Sequence, residues 1–149
     1  MTTLYFEDLT PGLVFDLGSI EVTADEIIEF ATRFDPQPFH VDPQAGAASH
    51  FGGLVASGWH TCALFMRLLV DGIVSRTTSM GSPGMDEVRW TAPVRPGDTL
   101  TGTFTVAEAR VSASKPDRGI IRSICEMRNQ DGTVVLTMRG MGMYGRRPE

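Results

Sequence analysis

At 149 residues the chain has the length of about one domain, long enough to bury roughly two thirds of the surface its unfolded form exposes without help from a disulfide or metal. A hydrophobic content of 42% and a charged content of 21% exclude a disordered or fibrous chain. Thirteen Lys and Arg stand against eighteen Asp and Glu, a net charge of −5 with no dense basic block, which argues against non-specific nucleic-acid binding.

The chain opens loosely. Thr10-Pro11-Gly12 is a turn signal, and Leu13 to Glu21 then reads as a strand carrying Val14, Phe15 and Ile20. Thr23-Ala24-Asp25-Glu26 has the form of a capping box, after which Ile27, Phe30, Ala31 and Phe34 recur at helical spacing along one face. Pro36 disfavours helical geometry in the residue before it, so this helix ends at Asp35. The two prolines of Asp35-Pro36-Gln37-Pro38 stiffen the loop that leads to His40, which keeps Asp35 and His40 near one another. Asp42 is placed to cap a short helical turn over Pro43 to His50, broken by Phe51-Gly52-Gly53.

Ser57 to Ile73 comes next, interrupted only by His60, Thr61, Arg67 and Asp71. A helix this apolar is expected to be buried on nearly all sides, with Trp59 and Phe65 in the core. Its most apolar run, Trp59 to Val70, falls short of the roughly 18 to 20 residues of a membrane span, and no basic, apolar leader pattern begins the sequence. Cys62 and Cys125 each lie inside an apolar pattern without short Cys-Cys spacing and read as reduced core thiols. The expectation is a cytoplasmic protein, neither secreted nor embedded in a membrane.

Four strands should wrap the helix. Met85 to Val94 is the first, and Pro93-Val94-Arg95-Pro96-Gly97-Asp98 turns into the second, Thr99 to Val106, where Leu100, Gly102, Phe104 and Val106 alternate with four threonines. Arg118 to Met127 and Val134 to Tyr144 follow, joined by Asn129-Gln130-Asp131-Gly132, whose Asp-Gly pair favours a tight hairpin. Read as an antiparallel meander around a long central helix, the chain is of the α+β class and forms one domain over residues 1–149.

The run Asp35-Pro36-Gln37-Pro38-Phe39-His40 resembles the hydratase motif of the MaoC-like dehydratases, which include the R-specific enoyl-CoA hydratases and share the hotdog fold. The family pattern has Asn where Gln37 stands and an aliphatic residue where Phe39 stands. Phe51-Gly52-Gly53-Leu54-Val55-Ala56-Ser57-Gly58 is similar to the family's approach to its central helix, with Ser57 in place of a common His, and Trp90 to Leu100 resembles its second half. The resemblance implies a sheet curled around one helix, a homodimer with its active site at the interface, and water addition to or removal from a 2-enoyl thioester of coenzyme A without metal or cofactor. It implies Asp35 and His40 as the catalytic pair, the Gly58 N–H with Ser57 as the group that binds the thioester carbonyl, and Gln37 as a support for the loop. A family serine further along the helix falls near Thr61 to Ala63 and has no counterpart.

The residues suit that chemistry. Hydration needs a base for water, a group to manage the α-carbon proton, and donors for the enolate-like oxygen. Asp35, enclosed by Phe34, Phe39 and the central helix, is expected to be desolvated and therefore more basic than a surface carboxylate. His40 can hold the same water or exchange its proton, and Gly58 lies in the first turn of a helix, where N–H groups lack partners, the dipole is positive and no side chain obstructs a ligand. The simpler reading of Asp35 is a turn residue, and of Gly58 a packing residue. His40, His50 and His60, ten residues apart, match no zinc motif, so no metal is assigned and His50 and His60 are read as structural. Arg110, Lys115, Arg118 and Arg122 are read as solvated strand-end charges. Two rival functions remain: a hotdog thioesterase, for which the only carboxylate on the helix is Asp71, and a non-catalytic acyl-thioester binding subunit.

Overall fold

The computed structural model describes residues 2–149. Val14–Glu21 forms β1, and Ala24–Phe34 forms α1, where the Thr23 hydroxyl accepts the Glu26 N–H at 3.2 Å as its N-cap. Two short helices follow: α2, Pro38–Val41, and α3, Pro43–Ala48, whose Asp42 cap accepts the Gln44 N–H at 2.9 Å. The long helix α4 is Gly58–Gly72. Then come β2, Gly84–Trp90; β3, Thr99–Val111; β4, Arg118–Arg128; and β5, Val134–Gly145.

The five strands make one antiparallel sheet in the order β1-β3-β4-β5-β2. The period-2 pattern of β3 acts as the alternation predicts: Leu100, Gly102, Phe104 and Val106 turn inward while the threonines between them do not. With Ile121, Cys125 and Met127 of β4 and Leu136 and Met138 of β5, they form a concave surface that receives Phe65, Leu68 and Leu69 of α4. β1 carries a bulge between Asp16 and Ser19, where Gly18 takes a left-handed φ of 84°. Beside it, Leu17 packs on Gly72 at the end of α4. The result is the hotdog arrangement within the α+β class.

Three sequence expectations are corrected. Only β3, β4 and β5 form a meander, because β2 ends at Trp90 and pairs with β5, leaving its other edge open. The segment Thr91 to Asp98 then crosses to the far side of the sheet, where Val22 donates its N–H to the Asp98 carbonyl and Gly97 donates to the Val22 carbonyl. Second, α4 is not buried all round. One sheet covers one side of a helix, and Trp59, Met66 and Val70 on the other side are exposed, Trp59 to 61%. Third, Phe34 leaves the α1 core face held by Ile27 and Ala31; it is 62% exposed, with Phe30 on one side and the Arg33 guanidinium 4.9 Å above its ring.

Among the described residues no helix is long and apolar enough to cross a membrane. Among the described residues Phe65 is the largest fully buried side chain, 1% exposed in the core between α4 and the sheet. Truncation there leaves a cavity that rigid strands cannot fill, so Phe65→Ala should lower stability by about 3–5 kcal/mol. A urea titration followed by circular dichroism measures this, with a lower midpoint and little change in slope as the expected result.

Candidate functional site

The site is built where three chain segments meet. The first is the end of α1, where Asp35 gives its N–H to the Ala31 carbonyl and Pro36 stops the helix. The second is α2, in which the His40 N–H reaches the Gln37 carbonyl at 2.9 Å and the ring is buried. The third is the extended approach Leu54 to Ser57, stitched to its neighbours by Val55 N–H to the Phe39 carbonyl at 3.2 Å and Ala56 N–H to the Val94 carbonyl at 2.9 Å.

His40 Nδ1 lies 2.6 Å from the Val55 carbonyl oxygen. A carbonyl only accepts, so Nδ1 carries the proton, and in the neutral ring Nε2 is left with its lone pair free. That nitrogen faces Asp35 Oδ2 at 3.4 Å. Two acceptors opposed at this distance need hydrogen between them, and a water just beyond the pair can donate one hydrogen to each.

Asp35 is tied down on both oxygens. Oδ2 accepts the Ser57 hydroxyl at 2.7 Å, and Oδ1 accepts the Gln37 amide at 2.7 Å. Burial pushes the Asp35 pKa up, but the Ser57 and Gln37 hydrogen bonds and the nearby His40 outweigh it and hold the carboxyl below its ordinary value. The expectation of a more basic carboxylate is therefore corrected: partial desolvation is present and loses to hydrogen bonding. Phe34 contributes nothing to the enclosure, because it points outward.

Ser57 is completely buried, and its hydroxyl donates to Asp35. It is the N-cap residue of α4, so the same bond sets the carboxylate beside the helix start. Gly58 follows in the first turn, where N–H groups have no intrahelical acceptor and the dipole favours negative charge. Its Cα is not open, however. The Trp90 ring lies across it, and a Cβ added at position 58 would sit 2.5 Å from a ring carbon. Glycine is required here by the indole. Asp35, His40, Gly58, Thr61 and Trp90 line one cavity of about 450 Å³, with Phe39, Phe51 and Val94 among its apolar walls. Thr61, buried, stands in the segment where the sequence offered no serine, and its hydroxyl points to the Ser57 carbonyl at 3.5 Å.

The other histidines do not join this pair. His50 is exposed and leans on Phe51, while His60 is buried and stacks on Phe30 at 4.8 Å, where burial lowers its pKa. Among the described residues no group of three or more His, Cys, Asp or Glu side chains is arranged to hold a metal ion. Arg118 and Arg122 are paired with Asp117 and Asp86. Sequence reasoning missed two parts of the site. The Val55 carbonyl carries no signal in a side-chain pattern, and Trp90 showed only as a residue of the Met85 to Val94 strand and the first of the segment that resembles the family's second half, with nothing to tie it to Gly58.

A carboxyl held below its unfolded pKa adds stability that is complete above the unfolded value and is lost as pH falls through the folded one. Removing the Ser57 donor should raise the folded pKa of Asp35 and move that loss to higher pH. Carbon-13 titration of the Asp35 carboxyl in Ser57→Ala should show the upward shift against wild type; an unchanged titration would mean the hydroxyl does not govern this group.

Comparisons with known proteins agree with the fold. A solved structure of a MaoC-like dehydratase from Rhodospirillum rubrum superposes with a TM-score of 0.91 at 43% identity, covering 98% of this chain and 99% of that one. The Bacillus subtilis protein YdeM is 31% identical over 125 residues, 83% of this chain and 86% of its own. The 3-hydroxyacyl-thioester dehydratase Z of Mycobacterium tuberculosis is 34% identical over 89 residues, which are 58% of this chain and 59% of that protein. The model of the MaoC like domain matches residues 9–123, more than half of the sequence. The chain belongs to the MaoC-like hydratase and dehydratase family.

Proposed function

We propose that the protein is a hydro-lyase that adds water across the double bond of a 2-enoyl thioester of coenzyme A, or removes it in reverse. The observation that carries this reading is the 3.4 Å approach of His40 Nε2 to Asp35 Oδ2, with His40 Nδ1 committed to Val55, in a cavity shared with the start of α4. A water bound to that pair gives one hydrogen to each acceptor and presents an oxygen lone pair to the β-carbon. As the C–O bond forms, one water proton passes to His40 Nε2 and the alkene electron pair moves onto the thioester oxygen. The Gly58 N–H receives that oxygen's charge, aided by the helix dipole. The imidazolium's proton then goes to the α-carbon, which restores the carbonyl and the neutral ring. Asp35, with its depressed pKa, orients the water and stabilises the imidazolium rather than taking the proton itself, while Gln37 and Ser57 hold it in place.

The chemistry assigned here uses no metal or cofactor, and the 149 residues act as one domain. Cys62 and Cys125 are both free thiols, which fits a cytoplasmic setting. We also assign a homodimer. The open edge of β2 offers unpaired backbone groups, and Trp59, Met66, Met85 and Trp90 leave apolar surface exposed along the same side. The thioesterase alternative lacks its carboxylate, since Asp71 is exposed near the far end of α4 and paired with Arg67 at 2.8 Å. The binding-subunit alternative leaves the convergence of Asp35 and His40 without a purpose.

Two measurements test these statements. With a panel of 2-enoyl-CoA thioesters followed by loss of the conjugated-alkene absorbance, Asp35→Asn and His40→Gln should each lower kcat by about 10²–10⁴. The double variant should be little worse than the less active single one, because the two groups share one water. Release of free thiol at a rate indifferent to Asp35→Asn would establish the thioesterase instead. In sedimentation velocity, Met66→Asp should shift a wild-type dimer toward monomer.

A further inference from the structure

The cavity that holds Asp35 and His40 is followed along α4 by a second one. Gly58 and Thr61 line the first; Cys62 and Met66, on the next stretch of the helix, line the second, which has a volume of about 300 Å³. β2 runs past both in the same way, with Trp90 at the first and Met85 at the second. The two spaces lie one after the other along α4 and β2, with separate linings, and the second is walled by Phe65, Leu69 and sulfur-bearing side chains with few polar atoms.

The Trp90 indole stands at the division. Its Nε1–H donates to the Gly58 carbonyl oxygen at 2.7 Å, its ring presses on the Gly58 Cα, and the Trp59 ring meets it edge to face at 5.0 Å. Cys62, one helix turn after Gly58, is a wall of the second space. The indole thus touches the helix turn that opens the catalytic cavity, one turn before the cysteine that opens the apolar chamber. The bond to Gly58 fixes the ring angle, and rotation of the indole breaks that bond.

We infer that Trp90 is a specificity-determining residue: its indole bars the catalytic cavity from the apolar chamber beneath α4 and restricts the enzyme to short acyl chains. This rests on the reading of the site as one that takes acyl thioesters. A tail longer than the first cavity can hold has to displace the indole, losing the Gly58 bond and the Trp59 contact. Once past it, the flexible Met66, Met85 and Met138 side chains offer an adaptable apolar lining.

The test separates binding from turnover. Calorimetric titration of the full-length protein with butyryl-CoA and octanoyl-CoA, saturated and unreactive in hydration, gives an affinity ratio that does not depend on the chemistry. Wild type should favour butyryl-CoA. Trp90→Ala should shift the ratio toward octanoyl-CoA by at least about tenfold, the scale on which a hydrophobic pocket distinguishes methylenes. Trp90→Phe, which keeps a ring but loses the N–H to Gly58, should shift it less in the same direction, and it serves as the readout if the alanine variant does not fold. Wild type that binds octanoyl-CoA as tightly as butyryl-CoA, or a ratio unmoved in both Trp90 variants, overturns the inference. Failure of every 2-enoyl-CoA to react would overturn the hydratase reading alone, since the affinity ratio still decides the role of Trp90.

Discussion

The hydrogen bond from Ser57 to Asp35 ties together parts of the chain that are otherwise held separately. Asp35 belongs to the end of α1 and Ser57 to the start of α4, twenty-two residues apart, and the 2.7 Å bond fixes the carboxylate at the mouth of the long helix. Ser57 is wholly buried, so its hydroxyl has no water to turn to, and leaving either partner unpaired carries a desolvation penalty of about 1–3 kcal/mol. The bond also governs the carboxyl. Together with Gln37 it lowers the pKa of Asp35, and in the mechanism proposed above this leaves His40 Nε2, freed as an acceptor by the Val55 carbonyl, to move the proton. A carboxylate made more basic by burial would compete with the imidazole for that proton; one restrained by two donors orients instead.

Much of this is legible in the amino-acid sequence, wherever a local rule decides the outcome. The N-cap at Thr23, the stop at Pro36 and the period-2 pattern of β3 depend on neighbours in sequence, and each stands where the residues place it. The nearness of Asp35 and His40 is legible for the same reason, since two prolines between them leave the loop few conformations. The parts that are not legible depend on distant partners. Whether Asp35 is raised or lowered in pKa turns on Ser57, and the tautomer of His40 turns on a backbone carbonyl fifteen residues away. The position of β2 at the sheet edge depends on β5, far downstream of it, against the simpler rule that successive strands pair.

The partial exposure of α4 carries a physical lesson. An apolar helix requires apolar cover, but a sequence does not say whether the cover comes from its own chain. Here the sheet takes Phe65, Leu68 and Leu69, and leaves Trp59, Met66 and Val70 facing outward beside an unpaired strand edge. Apolar surface next to unpaired β2 backbone suits a neighbour that supplies both a strand and a helix, and a second copy related by a two-fold axis brings the same two elements to the same place.

The two tryptophans connect that outer surface with the chemistry inside. Trp90 ends the open strand and Trp59 begins the exposed helix face, yet the pair meet over Gly58, next in sequence to the serine that holds Asp35. Glycine at position 58 is thus constrained from two directions: its N–H belongs to the unsatisfied first turn of α4, and its missing side chain makes room for the indole. Trp90 therefore stands both on the open edge of β2 and, through its bond to the Gly58 carbonyl, on the first turn of α4. One ring thus joins the open edge of β2 to the turn that begins α4.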